Sequence, residues 1–305
     1  MVTSNRPLVF LNFKVIGCDD MELSTSLNVY NHTKASYEEI LLRASQCGFK
    51  SYDFNPADYM NKGKNFYTDE NWRDNIKKIK LYADKLGVKF TQSHAYCFCM
   101  PEPQDVEYQM KKSIEASSIA GVPWVVMHSW ITGLDDKKDI IKENIRRFET
   151  YVAYAKSMNV GIAIENVPER IFWYGEEICG EAFCCAEELI ELVDALNNKF
   201  GNVGICWDTG HAQLTTESQH DEILKIGNRL KVLHIADNDG QYDDHMPPFF
   251  GYANWEEIMK ALKAIDYSGT FNFETHCFTR CLPDELVDDG VKMMHKIGAY
   301  ILNNF

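Results

Sequence analysis

Lys231-Val-Leu-His-Ile-Ala-Asp-Asn-Asp-Gly-Gln-Tyr-Asp-Asp-His245 is the stretch on which the reading of the fold turns. It opens as a short apolar run, Val232 to Ile235, of the length and composition of a buried strand. His234 stands at the end of that run. A polar loop follows with Asp237, Asp239, Asp243, Asp244 and His245. An apolar strand that delivers a histidine and carboxylates into the next loop is what a metal-assisted site at the C-terminal mouth of a parallel barrel requires. One such histidine is more often a satisfied core residue. The case rests on repetition elsewhere in the chain.

Working outward, strand patterns alternate with helix patterns along the whole length. The apolar stretch Leu8 to Ile16 reads as strand one. Ser36-Tyr-Glu-Glu39 reads as a capping box opening a helix with Ile40, Leu41 and Ala44 on its inner face. Strand two lies within Cys47–Phe54, and a long loop runs from Asn55 to Tyr67. Asp69 is expected to cap a helix through Leu86, before strand three at Thr91–His94. Gln104 to Ala120 is an amphipathic helix, Gly121 to His128 strand four, and Asp135 or Asp136 opens a helix to Met158. Val160–Glu165 is strand five, followed by a long aromatic loop and a helix from Glu187 to Leu196. Val203–Asp208, Lys231–Ile235 and Gly269–Glu274 are strands six to eight. Asn254 caps the helix before the last strand, and Leu282 to Leu302 is the final helix. About eight βα units without a Pro/Gly/Ser-rich linker imply a single (β/α)8 TIM barrel over residues 1–305, with its active site at the C-terminal ends of the strands. The runner-up, an open doubly wound sheet, is weakened because no glycine-rich dinucleotide fingerprint follows strand one.

Composition narrows the function classes. The 305 residues are 45% hydrophobic and 25% charged, ordinary for a globular enzyme, and the net charge is −14. Nucleic-acid affinity comes mostly from counterion release by Lys and Arg, so this balance argues against a broad phosphate-binding surface. Ten cysteines include no CxxC pair. They read as reduced thiols of a cytoplasmic protein. The N-terminal apolar patch lacks a basic lead and a small-residue cleavage site, so it reads as no signal peptide. No run approaches the ~20 apolar residues of a membrane span.

The strand ends carry the chemistry. Strand three ends on His94, strand four on His128, strand five on Glu165, strand six on Asp208 with His211 a turn later, strand seven on His234, and strand eight on Glu274. Gathering so many carboxylates without a cation would be costly, and a divalent metal removes that cost. The minimal ligand set is Glu165, Asp208, His234 and Glu274. Three carboxylates and an imidazole suit one Mn²⁺ ion first, with Mg²⁺, Co²⁺ or Zn²⁺ as the other choices. Glu165 and Glu274 come from strands three apart around the ring. One could take a proton from a carbon next to a carbonyl while the other returns one, with the metal stabilising the enediolate.

At this point the residues resemble a family. Gly161-Ile-Ala-Ile-Glu-Asn166, Trp207-Asp-Thr-Gly-His211, His234-Ile-Ala-Asp-Asn-Asp-Gly240, Asp243-Asp-His245 and Phe273-Glu-Thr275 look like the xylose-isomerase-like barrel superfamily over nearly the whole chain. That superfamily holds sugar phosphate isomerases and epimerases, ketose 3-epimerases and, more distantly, endonuclease IV. The resemblance implies metal ligation by the four residues named above and a metal-dependent sugar isomerase or epimerase in which Glu165 and Glu274 shuttle the proton. A keto-sugar lyase or deglycosidase using the same enolate chemistry is one alternative. His211 is grouped with the catalytic pair, as a residue that binds substrate hydroxyls or orients a carboxylate. His94, His128, Trp130, Arg170, Trp173, Asp243 and His245 are assigned to substrate binding, with Phe172 and Phe249 as further aromatic walls. Arg170 is the one candidate for holding a phosphate, so the reading leans to a non-phosphorylated sugar or polyol. The second alternative arises because His94, His128, His211, Asp243 and His245 added to the four are similar to the larger ligand set of endonuclease IV, which holds three zinc ions and cuts DNA at abasic sites. The expected partner is a small sugar substrate, with no membrane or nucleic acid; a homo-oligomer or a small partner subunit is left open.

Overall fold

The computed structural model describes residues 21–60, 62–97, 104–168, 170–173, 176–179 and 182–305, with the backbone alone for 170–173 and 176–179. In chain order the strands are β1 Glu22–Ser26, β2 Ser51–Asp53, β3 Lys89–His94, β4 Trp124–Met127, β5 Gly161–Glu165, β6 Arg170–Trp173, β7 Glu176–Cys179, β8 Val203–Asp208, β9 Leu230–His234 and β10 Thr270–Phe273. Eight of them form one parallel sheet in the order β10-β1-β2-β3-β4-β5-β8-β9. The ends meet through a parallel bridge, Ile235 to Phe273. There the Ile235 N–H donates to Asn272 O (2.7 Å) and the Glu274 N–H to Ile235 O (3.0 Å). The result is a (β/α)8 barrel.

The helices are α1 Tyr37–Gln46, α2 Trp72–Leu86, α3 Val106–Ala120, α4 Lys137–Ser157, α5 Ala186–Asn197, α6 Thr209–Gln213, α7 Gln219–Ile226, α8 Trp255–Ala264, α9 His276–Arg280 and α10 Asp284–Asn304. Local chemistry sets their ends. Both reciprocal bonds of the Ser36/Glu39 capping box are formed at α1. Asp136 caps α4 and Asn254 caps α8. Asp69 does not cap α2: the N-cap is Asn71, whose N–H the Asp69 carboxylate accepts at 2.8 Å. Gly87 and Gly121 end α2 and α3 in the left-handed conformation.

Two further expectations change. The first barrel strand is Glu22–Ser26; the stretch 8–16 lies outside the described residues. The loop after β5 carries the antiparallel hairpin β6–β7, with Arg170 opposite Cys179 and Trp173 opposite Glu176.

The barrel lumen is two-sided. Leu23 and Phe273 face α10, where both would touch a methyl added at Gly298. Strand alternation therefore turns Ser24 and Asn272 inward. Ser24, Ser51, Asp53, Gln92 and Asn272 are all buried, on β1, β2, β3 and β10. Across the lumen, Val126, Ala163, Cys206 and Val232 form a small apolar cluster on β4, β5, β8 and β9. The main core lies between sheet and helices.

Candidate metal centre

The strand ends converge. Donor atoms of Glu165, Asp208, His234 and Glu274 lie within 4.8 Å of one another. His234 Nδ1 sits 2.8 Å from Glu165 Oε1 and 2.8 Å from Glu274 Oε2, with Asp208 Oδ2 at 3.9 Å. All four side chains are buried.

Two further groups flank this one. On one side, His128 Nε2 lies 2.9 Å and His94 Nε2 3.3 Å from Glu165 Oε2, and the two histidine nitrogens are 3.1 Å apart. Glu165 thus serves two groups, one with each oxygen. On the other side are His211, Asp243 and His245. Asp243 Oδ2 lies 3.0 Å from His245 Nε2 and 3.4 Å from His211 Nε2.

The backbone fixes three of the rings. Nδ1 of His94 lies 2.9 Å from Ala95 O, Nδ1 of His211 2.9 Å from Asn166 O, and Nδ1 of His245 2.9 Å from Glu274 O. A carbonyl only accepts, so each Nδ1 carries a proton and each Nε2 faces its group, where a lone pair would be available to a cation. Asp208 also caps α6, its Oδ1 accepting the His211 N–H at 2.7 Å, which leaves Oδ2 for the cluster.

Charge and burial compete here. Burial raises the Glu165 carboxyl, but His234 and His128 outweigh it and hold it well below the usual carboxylate range. Burial pushes Asp208 up to about 6 against the pull of His211 and His245. Burial opposes a charge on His211, yet Asp208 and Asp243 push it up to about 10. Asp208 Oδ2 and Asp243 Oδ1 are buried without a hydrogen-bond partner. Carboxylate oxygens left so in a nest of imidazoles fit a divalent cation, and the donor set suits Zn²⁺ or Mn²⁺.

The loop bearing Asp243 and His245 is rigidly anchored. Asp237, fully buried, accepts from the N–H groups of Asn238 (2.9 Å), Phe249 (3.0 Å) and Ala253 (3.0 Å) and from Trp255 Nε1 (3.0 Å). Asp237 and Met246 also exchange a backbone pair. His245 holds φ at 44° to turn its ring toward Asp243. Gly251 has no room for a Cβ, which would lie 2.2 Å from Asn238 O.

Not every candidate joins the cluster. Trp130 is buried, its ring stacked on Tyr151 (5.3 Å, 13°) and edge-on to Phe148 (4.7 Å) in α4. That gives it a packing role in the helical layer. The Phe249 ring is half-exposed and leans on Tyr300 of α10. Arg170 and Trp173 lie on β6, where the backbone alone is described. Several further residues lie near the centre. Asn55 Oδ1 accepts the His94 N–H at 2.7 Å, and Cys97 Sγ lies 3.6 Å from His128 Nδ1. Asp53 closes the lumen beneath His234. The seven described cysteines whose state is defined are free thiols. Among the described residues, no helix is long and apolar enough to cross a membrane.

Comparison with known proteins places the fold. The chain is 32% identical over 174 residues to protein y4fM of Sinorhizobium fredii, covering 54% of this chain and 51% of that one. It therefore spans about half the length of the first curated relatives it matches. It is 23% identical over 248 residues to a D-psicose 3-epimerase of Enterocloster bolteae, covering 77% of this chain and 75% of that protein. Among solved structures, the IolI protein with a bound zinc atom superposes with a TM-score of 0.73 at 17% identity, over 93% of this chain and 99% of that one. The family model for xylose isomerase-like TIM barrels matches residues 41–297, and with the barrel and its strand-end cluster in place the chain belongs to that family.

Proposed function

We propose that the protein is a divalent-metal-dependent sugar isomerase or epimerase acting on a non-phosphorylated ketose or polyol-derived sugar. The observation that carries this reading is the placing of Glu165 and Glu274. They approach His234 Nδ1 at 2.8 Å each from strands that are not neighbours in the barrel. A substrate seated above them meets two carboxylates from different directions. One removes the proton from the carbon beside the carbonyl, and the other returns it to the same or the adjacent carbon. A divalent ion held by Glu165, Asp208, His234 and Glu274 would supply charge stabilisation for the enediolate. His211 Nε2 and Asp243 stand beside the group, where they orient substrate hydroxyls. The likeness to a D-psicose 3-epimerase supports the substrate class.

The test is isotopic. Turnover of ketoses in D₂O should place solvent deuterium at the carbon next to the carbonyl, and Glu165→Gln or Glu274→Gln should abolish it with the fold retained. Near-parent rates in either variant would refute the proton shuttle, and full retention of the substrate proton would indicate internal hydride transfer.

A second reading is favoured by one specific observation: the flanking groups are complete. Nine residues form three groups, with Glu165 common to two. Such an array suits three zinc ions and phosphoester hydrolysis at abasic sites in DNA. The net charge of −14 opposes it. Two or three zinc ions per chain together with cleavage of an abasic duplex would make it the better account.

A further inference from the structure

His234 is the odd histidine of the centre. His94, His211 and His245 each give the proton on Nδ1 to a backbone carbonyl and turn Nε2 to their groups. His234 is reversed: Nδ1 faces Glu165 and Glu274, and Nε2 points down into the lumen. Nε2 is fully buried with no nitrogen or oxygen hydrogen-bond partner, and the Cys206 thiol interacts with the ring as a weak sulfur partner. The carboxylate facing it is Asp53, whose Oδ2 lies 3.8 Å away. Asp53 is fully buried and its Oδ1 is also unpartnered. Gln92 steadies this arrangement from below. Its Nε2 reaches Asp53 Oδ2 at 3.4 Å and the carbonyl of Leu233, next to His234, at 3.5 Å, while Thr270 donates to its Oε1 at 3.3 Å. Cys206 is the other polarisable group beside the ring, in one cluster with Glu165 and His234.

We propose that Asp53 is the positioning residue of the central site: it holds the proton of His234 on Nε2, so that Nδ1 stays a lone pair directed at the metal. This rests on the metal reading above. A ligating imidazole needs its second nitrogen fixed by an acceptor, and a carboxylate in that place also raises the basicity of the ligand. The three other rings draw on backbone carbonyls. His234 lies within β9, and its own carbonyl already accepts the Thr209 hydroxyl at 3.3 Å. Asp53 supplies the facing carboxylate from the opposite wall of the lumen, at an ion-pair distance of 3.8 Å. A buried carboxylate so placed costs stability, and tuning His234 accounts for its presence. Glu165, Asp208, His234 and Glu274 hold the ion, and Asp53 touches neither ion nor substrate.

The experiment uses the full chain, stripped of metal and titrated with Co²⁺ and Zn²⁺. His94→Ala and His245→Ala are combined to take one ligand from each flanking group, so that the central site is read alone. Asp53→Asn in that background should weaken binding by about ten- to a hundredfold and shift the visible Co²⁺ bands. At a pH above the value of about 7 to which burial raises the Asp53 carboxyl, the metal-free protein should melt no lower than its parent, because a buried charge has been removed. A purely structural Asp53 would do the reverse, lowering the metal-free melt and leaving affinity unchanged, and that result overturns the inference. A second measurement needs no variant at Asp53. In the zinc-loaded chain with ¹⁵N-labelled histidine, His234 should be the Nε2–H tautomer while His94, His211 and His245 are Nδ1–H; an Nδ1–H His234 overturns it. Failure of the parent chain to bind either ion would overturn the metal reading, and this inference with it. Equal affinities of parent and variant would overturn this inference alone.

Discussion

Asp237→Ala isolates the anchoring of the third histidine group. Asp237 holds four donors, and three of them arrive from residues 249–255, across the loop. A hydrogen bond to a charged acceptor contributes about 1.5–3 kcal/mol, and a buried donor left without a partner costs a similar amount. The Phe249 and Ala253 amides are partly reached by water and take the lower end. The indole of Trp255 is buried and takes the upper. The loss comes to about 6 kcal/mol. At about 2 °C per kcal/mol for a chain of this size, the melting temperature should fall by about 12 °C. Part of the loss should appear locally, because the 238–252 loop opens before the barrel does. The assay is a thermal melt paired with limited proteolysis, which should yield new cleavage between 238 and 252. Any ion that His211, Asp243 and His245 hold should be lost in parallel. A melt within about 1 °C of the parent with no new cleavage would refute the anchoring argument.

Other substitutions probe separate links. Gly251→Ala places a methyl 2.2 Å from Asn238 O and 2.3 Å from Asp237 Oδ1, so a melt should show about 3 kcal/mol of destabilisation. Chelation of bound metal should lower the melting temperature reversibly, since an ion at a thousand times its Kd stabilises by about 4 kcal/mol; an unchanged melt would mean that the central carboxylates are not ligands. His128→Asn should remove one ion per chain by elemental analysis if the His94/His128 group is a metal site, and none if it only orients substrate. Gly161→Ala would put a methyl 2.3 Å from the Trp124 ring and should destabilise the β4–β5 pair, read as a lower midpoint in urea.

Much of the centre was legible because β5, β8 and β9 are buried apolar runs, each ended by Glu165, Asp208 or His234. A charged group after such a run is costly to bury, so it stands out in the sequence. β1 was not legible for the opposite reason. Its inward residues are Ser24 and Ser26, because that side of the lumen is polar, so Glu22–Ser26 reads as a loop while the apolar stretch 8–16 draws attention. Asp53 was hidden in the same way, one polar residue in a three-residue strand with its partner 181 positions further on, at His234. The stack of Trp130 on Tyr151 was not legible, because an aromatic ring past a strand end gives the same signal whether it meets a ligand or a helix. The β6–β7 hairpin was masked by loop length, which carries no register.

The closure of the barrel bears on how the centre behaves over time. β9 and β10 meet through one bridge, at Ile235 and Phe273, whereas β5 and β8 share a four-residue register. His234 and Glu274 stand on either side of that thin seam. Any ion gripping both acts as a clasp on the barrel wall, and its release unlatches the wall at its weakest line. Amide exchange at Ile235 and Glu274 would then track ion occupancy, which makes the seam a built-in reporter of the state of the centre.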